Sequence, residues 1–241
     1  MSTLVADALF APIDTDLHLE RIAGGNETEV YRTDNQRYVV KVKSELPVAA
    51  ANVLTEVASL RTAATAFTQA VGVEHSIPSH YVISRNSEGQ VQALVLQPFL
   101  ENARPLYHVD YRKLTISQRR HLADQLRAII RRSLEFYRKT EQMPDLYGRT
   151  SASHAERKRL NAPLMLPWRL WSFLVKRNLL RSHNLMLTAA PDHRVVLVDY
   201  DPVRRSKFYR LIYYRVRQML FWRDRLLIAL MERGWFLPKT S

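Results

Sequence analysis

The segment VVLVDYDPV, residues 195–203, decides how the rest of the chain is interpreted. Its first four residues are apolar and favour β-structure, which predicts a buried strand. Two carboxylates, Asp199 and Asp201, follow at the end of that strand, just before Pro202. Asp and Pro are common turn residues, so one interpretation is a simple turn. The other is a ligand site, because Mg²⁺ takes oxygen ligands and a carboxylate at the end of a strand can supply one.

The composition is that of a globular protein. Of 241 residues, 46% are hydrophobic and 10% aromatic, enough for one large domain or two small ones. Cysteine is absent, which excludes disulfides, thiolate metal sites and cysteine nucleophiles. The N-terminal residues lack the pattern of a secretory signal, and no apolar run reaches the roughly 18 residues of a membrane-spanning helix. We therefore expect a soluble, cytoplasmic protein without a transmembrane segment.

Positive charge is concentrated in two segments. Residues 149–181 carry +7 and residues 204–241 carry +8, so the rest of the chain carries −2 of the formal net charge of +13. Basic surfaces attract anions such as phosphate, RNA or acidic lipid. We predict that the two segments share one basic face with an anionic partner or acceptor. The alternative is a solvated surface that keeps the protein soluble.

The first hundred residues contain β-rich runs on both sides of a helical segment. TEVYR and RYVVKV flank the turn-forming residues TDNQ, and YVIS and QALVLQPF flank the polar turn NSEG, so each pair predicts a hairpin. Between the hairpins, AANVLTEVASLRTAATAF predicts a helix with an apolar stripe of Val53, Leu54, Val57 and Leu60.

The second half has a different character, and charge composition marks the change near residue 101. Residues 115–140 predict a long amphipathic helix that starts at Ser117 and buries Leu122, Leu126, Ile129, Ile130 and Leu134. LPWRLWSFLVKRNLL predicts another helix, and HNLMLT with RVVLVDY predicts a hairpin. The basic segment SKFYRLIYYRVRQMLFWRDRLLIALMERGW, near the end of the sequence, predicts a long helix that ends at Gly234. Its expected apolar stripe consists of Phe208, Leu211, Ile212, Val216, Met219, Leu220 and Leu227.

Several residues in this arrangement can carry chemistry. Gly24 and Gly25 lie between strands, where backbone N–H groups can approach phosphate oxygens without interference from a Cβ atom. Lys41 interrupts an apolar strand, and Glu56 on the following helix can be its ion-pair partner; an outward-facing strand position is the alternative for Lys41. Asn184 precedes Asp199 by fifteen positions, and the two can deliver oxygen ligands from opposite ends of one hairpin to a single Mg²⁺.

In the order and spacing of these motifs, residues 19–203 resemble the protein kinase-like superfamily. The resemblance is closest to its small bacterial branches, the aminoglycoside phosphotransferase-like and PhoP-regulated kinase-like proteins. In that superfamily a glycine loop covers the ATP phosphates, a strand lysine pairs with a helix glutamate, and an Asn and a strand-end Asp hold metal. The matching residues are Gly24, Gly25 and Asn26 for the loop, Lys41 and Glu56 for the ion pair, Gln97 to Leu100 with Phe99 for the adenine hinge, and Asn184 and Asp199 for the metal ligands.

The resemblance implies a two-lobed α+β fold, with a small antiparallel-sheet lobe and a larger, mostly helical lobe. The expected boundaries are residues 1–100 for the smaller, nucleotide-binding lobe and 101–241 for the larger lobe. It also implies ATP and Mg²⁺ as cofactors and phosphate transfer from ATP to an acceptor that the sequence does not identify. Tyr200 and Asp201 stand where the family has the Phe-Gly of DFG.

Two departures from the family pattern leave alternatives open. The loop GGNETEV lacks the third glycine of the kinase loop. In addition, the family's catalytic aspartate lies five residues before Asn184, where this chain has Leu179, which cannot act as a base. Either Asp145 is the base and residues 149–181 are a basic insertion, or the chain is a catalytically inactive kinase-like module that acts through protein contacts.

A third hypothesis is binding of nucleic acid or of an acidic membrane surface. Trp168, Trp171 and Phe173 lie among basic residues and can stack on bases, although helix packing is the alternative. The last helix can likewise lie on an acidic membrane or pack onto the larger lobe. His183, beside Asn184, is expected to pack or to face solvent.

Overall fold

The computed structural model describes residues 19–24, 28–33, 37–43, 50–85, 91–148, 177–200 and 207–235. These residues form an α+β fold of antiparallel sheets and helices. The chain divides into two compact units. Of the described residues, those within 19–62 and 78–99 belong to the first unit, and those within 63–77, 100–148 and 177–235 belong to the second. Most of the predicted insertion, with Trp168, Trp171 and Phe173, lies outside the described residues.

The first unit contains a five-stranded sheet in which every neighbouring pair of strands is antiparallel. The two predicted hairpins are present, and a further strand pairs along the first of them. The strands are β1 (Leu19–Gly24), β2 (Thr28–Thr33), β3 (Tyr38–Lys43), β4 (His80–Arg85) and β5 (Val91–Pro98), in the order β1-β2-β3-β5-β4.

Helix α1 (Ala50–Val71) packs one face against this sheet. Val53 and Val57 form a buried cluster with Ala93 of β5, and two residues of β4 pack against it. The predicted stripe was wrong at Leu54, whose side chain is 56% exposed. The buried face follows the i, i+4 spacing from Val53 to Val57, and Leu54 lies one position away from it.

The second unit contains two long helices that pack on each other, α2 (Ile116–Thr140) and α3 (Lys207–Glu232). The apolar face predicted for α2 is buried at Leu122, Leu126, Ile129 and Ile130. The predicted start at Ser117 was wrong by two positions. Thr115 caps the helix, accepting from the Gln118 N–H while the Gln118 side chain accepts from the Thr115 N–H. This reciprocal arrangement satisfies two N–H groups that the helix leaves unpaired.

The face of α3 that packs inward differs from the predicted stripe. Leu211, Ile212 and Met219 are exposed, and Met219 exposes 72% of its side chain. Leu220 of the predicted stripe is buried, as expected, and the other buried residues of α3 are Tyr214, Arg217, Phe221, Asp224, Ile228 and Met231. The prediction failed at the exposed positions because apolar side chains lie on both sides of α3, while the inner face also contains the charged residues Arg217 and Asp224.

A small sheet completes the second unit. Its strands are β6 (Arg104–Pro105), β7 (Leu185–Leu187) and β8 (Val195–Leu197), in that order and antiparallel. The hairpin of β7 and β8 was predicted, and all three residues of β8 are buried. The His75 ring donates from Nδ1 to the Val195 carbonyl oxygen at 2.9 Å. Short 3₁₀ helices span Val73–His75, Leu106–His108, Tyr111–Lys113 and Leu179–Arg181.

Candidate functional site

The turn that follows α2 holds Asp145 in place. Met143, Leu146 and Tyr147 are almost fully buried and anchor the turn in the core. Asp145 accepts a hydrogen bond at Oδ1 from the Tyr147 N–H at 3.1 Å, which is the local bond by which Asp stabilises turns. Gly148 ends the turn with a φ of +63°, a conformation that glycine adopts without the steric cost of a Cβ atom.

Asn184 packs directly against this turn. Its Nδ2 donates to the carbonyl oxygen of Asp145 at 2.8 Å, and its side chain is buried. A Cβ atom on Gly148 would overlap Asn184 Oδ1 and would lie only 2.5 Å from Cγ. The glycine is therefore what allows the Asn184 side chain to approach the Asp145 turn.

Further hydrogen bonds connect Asn184 to the segment before it and to the end of β8. Ser182 Oγ donates to the Leu146 carbonyl oxygen at 2.7 Å and accepts from the Asn184 N–H at 3.1 Å. The Asn184 carbonyl oxygen accepts from the N–H of Val198 at 2.9 Å, one residue before Asp199. Asp145 and Asn184 are thus in direct contact, and Asp199, which is half-buried, follows a residue that Asn184 holds.

Arg217 of α3 is a residue that the sequence reasoning missed. Its Nη2 donates to Asp145 Oδ1 at 2.8 Å, and its side chain is only 3% exposed. The guanidinium carbon lies 3.8 Å from the centroid of the Tyr147 ring, and the same group donates to the Tyr213 hydroxyl. Burial lowers the pKa of Arg217, but the nearby Asp145, Tyr213 and Tyr147 outweigh that effect and hold the pKa above its ordinary value. Arg217 therefore stays charged and fixes Asp145 Oδ1.

Asp224 is a second buried charge on the same face of α3. The Tyr147 hydroxyl donates to Asp224 Oδ2, and Arg223 donates to Oδ1 at 3.1 Å. Burial raises the pKa of the Asp224 carboxyl above its ordinary value, although these two donors oppose the change. Tyr147 consequently connects both buried charges: its ring lies under Arg217 and its hydroxyl contacts Asp224. The sequence feature that could have indicated these buried charges is the spacing of Arg217 and Asp224, which lie seven positions apart and therefore on one face of α3.

Tyr200, the residue after Asp199, holds the end of this segment in the core. It is 2% exposed, and its hydroxyl accepts from the Ile77 N–H at 2.7 Å and donates to the Ile77 carbonyl oxygen at 3.2 Å. Burial raises the pKa of this phenol. Asp201 lies outside the described residues. Tyr200 therefore fixes the chain directly after Asp199.

Leu179 and His183 are packing residues. Leu179 is completely buried within its 3₁₀ helix, as expected for a leucine without a chemical role. The His183 ring stacks on Tyr107 with 4.6 Å between the ring centroids. Burial lowers the pKa of His183, and His108 and Arg177 lower it further. Of the two expected roles for His183, packing and facing solvent, the stacking on Tyr107 favours packing.

The predicted nucleotide-binding residues lie in the first unit. Gly24 ends β1 opposite Glu29, whereas Gly25 and Asn26 lie outside the described residues. Lys41 pairs with Val95 in the register of β3 and β5. Because paired residues share a face and side chains alternate along a strand, Lys41 lies on the face of Val95 and Ala93.

That face of the sheet is the one that α1 covers, since Ala93 clusters with Val53 and Val57. Glu56 lies between those two valines on α1 and, like Lys41, is half-buried. The register therefore places Lys41 on the sheet face against which the helix of Glu56 packs. This arrangement disfavours the alternative in which Lys41 faces outward from the sheet.

The predicted adenine hinge is held by contacts within the first unit. Gln97 is 3% exposed, and its Nε2 donates to Ser79 Oγ at 2.8 Å. The Phe99 N–H donates to the Arg37 carbonyl oxygen at 2.8 Å, and the Arg32 guanidinium lies 5.7 Å from the centre of the Phe99 ring. The end of β5 is thus held by hydrogen bonds, and the Gln97 side chain is buried within the unit.

Within the described part of the chain, no group of three or more His, Asp or Glu side chains could hold a metal ion. Asn184 and Asp199 together provide an amide and a carboxylate oxygen, which is the donor chemistry that Mg²⁺ prefers. Mg²⁺ commonly takes its remaining ligands from water and from substrate phosphates. A magnesium ion held by these two residues stays a prediction.

No helix among these residues is both long enough and apolar enough to span a bilayer. No protein-family model matches the chain, and no curated protein matches it significantly.

Proposed function

We propose that the chain is an ATP-dependent phosphotransferase of the protein kinase-like type, in which Asp145 is the base and Asn184 and Asp199 hold Mg²⁺. The observation that carries the proposal is the hydrogen bond from Asn184 Nδ2 to the Asp145 carbonyl oxygen. If residues 149–181 are an insertion, the two ends of that insertion must lie together. The contact between Asp145 and Asn184, 39 positions apart in the sequence, is what that hypothesis requires.

The carboxylate of Asp145 is suited to accept a proton at one oxygen. Both hydrogen bonds that the described residues make to it, from Arg217 and from the Tyr147 N–H, end on Oδ1. The side chain is 29% exposed, so Oδ2 can accept a proton from an acceptor hydroxyl. That hydroxyl oxygen bonds to the γ-phosphorus of ATP as the bond from the γ-phosphorus to the bridging oxygen of ADP breaks, and the proton passes to Asp145.

The first unit supports the proposal through Lys41. Lys41 lies on the helix-covered face of the sheet and Glu56 lies on that helix, which is the placement that an ion pair of the kinase-like type would require. Gly24 is the last residue of β1, which pairs with β2. The two compact units correspond in the proposal to a nucleotide-binding lobe and a larger lobe. We propose ATP with Mg²⁺ as the cofactors, and leave the acceptor as an unidentified hydroxyl compound.

One observation favours the inactive kinase-like module as a second candidate. The Asp145 carboxylate forms an ion pair with the buried Arg217, which ties it to the packing of α3. A carboxylate held in this way can serve purely as a structural partner for α3. The two candidates differ in turnover, and nucleotide binding is compatible with both.

The decisive experiment measures nucleotide binding and turnover separately. Thermal shift with ATP in the presence and absence of Mg²⁺ reports binding, and ADP release reports turnover. We expect Asp199→Ala to lose the Mg²⁺-dependent shift, whereas Asp192→Ala, an exposed Asp in the same hairpin, should retain it. Asp145→Asn should retain binding and lose turnover by about 100-fold or more, the usual contribution of a general base.

Each outcome assigns the chain differently. Mg²⁺-dependent binding together with turnover supports the phosphotransferase. Binding without turnover in the wild-type protein makes the inactive module the better description. A wild-type protein that shows no shift with ATP, ADP or GTP in Mg²⁺ refutes the phosphotransferase and leaves the inactive module as the better description.

A further inference from the structure

Helix α3 presents a second surface, opposite the face that holds Arg217 and Asp224. Five large apolar side chains on that surface are between 48% and 74% exposed. They are Leu211, Ile212, Met219, Trp222 and Leu226. Met219, Trp222 and Leu226 recur at intervals of three or four residues, and Leu211 and Ile212 lie about two turns before Met219, so all five lie on one side of the helix. We call these five residues the apolar stripe.

The apolar stripe is accompanied by positive charge. Arg215, Arg225 and Arg233 are exposed on the same side of α3. The Arg225 guanidinium lies 5.7 Å from the Trp222 ring. The acidic residues of the helix do not face this side: Asp224 is buried, and Glu232 is paired with Arg127. The exposed side of α3 therefore combines apolar and cationic groups without an acid.

We infer that this side of α3 docks onto an anionic phospholipid surface. Charge complementarity selects the partner, because arginines along an apolar helical stripe attract acidic lipid headgroups while the stripe enters the boundary between headgroups and acyl chains. Arginine side chains can extend toward the headgroups while their stems remain on apolar surface, and tryptophan suits that boundary. The inference concerns a surface of α3 and does not depend on the proposed phosphotransferase activity.

The composition of the stripe argues against nucleic acid as the partner. Leu211, Met219 and Leu226 cannot donate hydrogen bonds to phosphate oxygens, which make up most of the protein contacts on nucleic acid. A helix that bound a phosphate backbone would present polar or basic groups at these positions. In an interfacial helix, by contrast, exposed aliphatic side chains contribute the apolar part of the binding free energy.

The test uses the full-length protein and vesicles of phosphatidylcholine, either pure or mixed with an equal amount of phosphatidylglycerol. We expect co-sedimentation with the mixed vesicles and a blue shift of tryptophan emission. Both effects should weaken with added salt, since headgroup attraction is screened. Trp222→Ala with Leu226→Ala should weaken binding by about tenfold or more, because both side chains lose apolar area that the lipid would bury.

A second variant tests the charge. Arg215→Gln with Arg225→Gln should weaken binding to mixed vesicles by about fivefold for each arginine. The control Arg138→Gln with Lys139→Gln removes two exposed cations at the end of α2 and should leave binding nearly unchanged. Trp235→Ala, an exposed tryptophan beyond the end of α3, is the control for the apolar variant. Circular dichroism verifies that every variant is folded.

Several results would overturn the inference. One is equal partition onto vesicles with and without phosphatidylglycerol, and another is no partition at all. Loss of binding in the Arg138 and Lys139 control to the same extent would show that net charge alone is responsible. Stripe-dependent binding of RNA in place of vesicles would assign the surface to nucleic acid, and stripe-dependent self-association in sedimentation would assign it to a second copy of the chain.

Discussion

Replacing Gly148 by alanine tests the connection between the Asp145 turn and Asn184. The substitution has two separate costs. The backbone at residue 148 has a φ of +63°, and an L-residue in that left-handed region costs about 1–2 kcal/mol. In addition, the new Cβ atom would overlap Asn184 Oδ1 and lie 3.0 Å from the Asn184 backbone nitrogen, so the Asn184 side chain has to move.

The second cost follows from the bond that Asn184 makes. Moving its side chain breaks the 2.8 Å hydrogen bond to the Asp145 carbonyl oxygen, and leaving such a group unsatisfied costs about 1–3 kcal/mol. The two costs together predict that Gly148→Ala lowers the free energy of unfolding by about 2–5 kcal/mol. Urea unfolding followed by circular dichroism gives this value by linear extrapolation.

Gly234 supplies the matched control. Its φ is +82°, but a Cβ atom there would meet only the end of the Arg119 side chain, at 3.4 Å. Gly234→Ala should therefore show the backbone cost alone, about 1–2 kcal/mol. Asn184→Ala should lower the free energy of unfolding less in the Gly148→Ala variant than in the wild type, because it removes the oxygen that the new Cβ atom overlaps. The expected coupling energy between the two substitutions is about 1–3 kcal/mol.

The reasoning fails if Gly148→Ala destabilises the protein no more than Gly234→Ala. It also fails if the double variant is simply additive. Either result would mean that the Asn184 side chain is not held against the turn, and would remove the contact on which the proposed function rests.

Burial lowers the pKa of His75 and His183, so the folded protein binds fewer protons than the unfolded chain, and the free energy of unfolding should fall as pH drops below about 6.5. His75→Asn, whose amide can donate to the same β8 carbonyl, should make that fall shallower in urea titrations; an unchanged slope contradicts the assignment. Burial raises the pKa of Asp224, so the stability that its protonated form contributes is lost as pH rises above about 4. Asp224→Asn should remove this decrease in the free energy of unfolding, which urea unfolding from pH 4 upward measures. A decrease that persists in the variant would exclude Asp224 as its source. Arg217→Met should lower the free energy of unfolding by about 2–3 kcal/mol, less than for a fully buried pair because the Asp145 side chain is 29% exposed. The loss should be smaller when Arg217→Met is made in an Asp145→Asn background. An equal loss in that background would show that the ion pair is not its cause.

Local patterns in the sequence were sufficient to predict most of the secondary structure. The alternating strands of the first unit and the apolar face of α2 depend on side-chain periodicity, which a sequence displays directly. The capping residue of α2 was also visible, since Thr115 and Gln118 have the spacing of a capping box, but Ser117 was chosen instead. The proximity of Asp145 and Asn184 was predicted from the order of the motifs.

The buried ion pair of Arg217 could not be predicted in the same way. Charged residues are almost always exposed unless they are paired, and the partner, Asp145, lies 72 positions earlier in the sequence. Periodicity identifies a helix face only when one side is clearly less polar than the other. In α3, the apolar side chains of Met219 and Trp222 are exposed, whereas the charged side chains of Arg217 and Asp224 are buried. At these four positions the usual relation between polarity and burial is reversed, so the sequence pattern indicates the wrong face.

The same separation has a consequence for biosynthesis. A chain leaves the ribosome N-terminal end first, so the Asp145 turn emerges long before the helix that carries Arg217. During that interval the carboxylate has no guanidinium beside it, and Tyr147 lacks the ring and charge partners that α3 brings. The turn can reach its final form only after α3 has been released and has docked. A prematurely terminated chain that lacks α3 would accordingly be unable to form the contacts of Asp145 and Tyr147 with that helix, even if its earlier elements had folded.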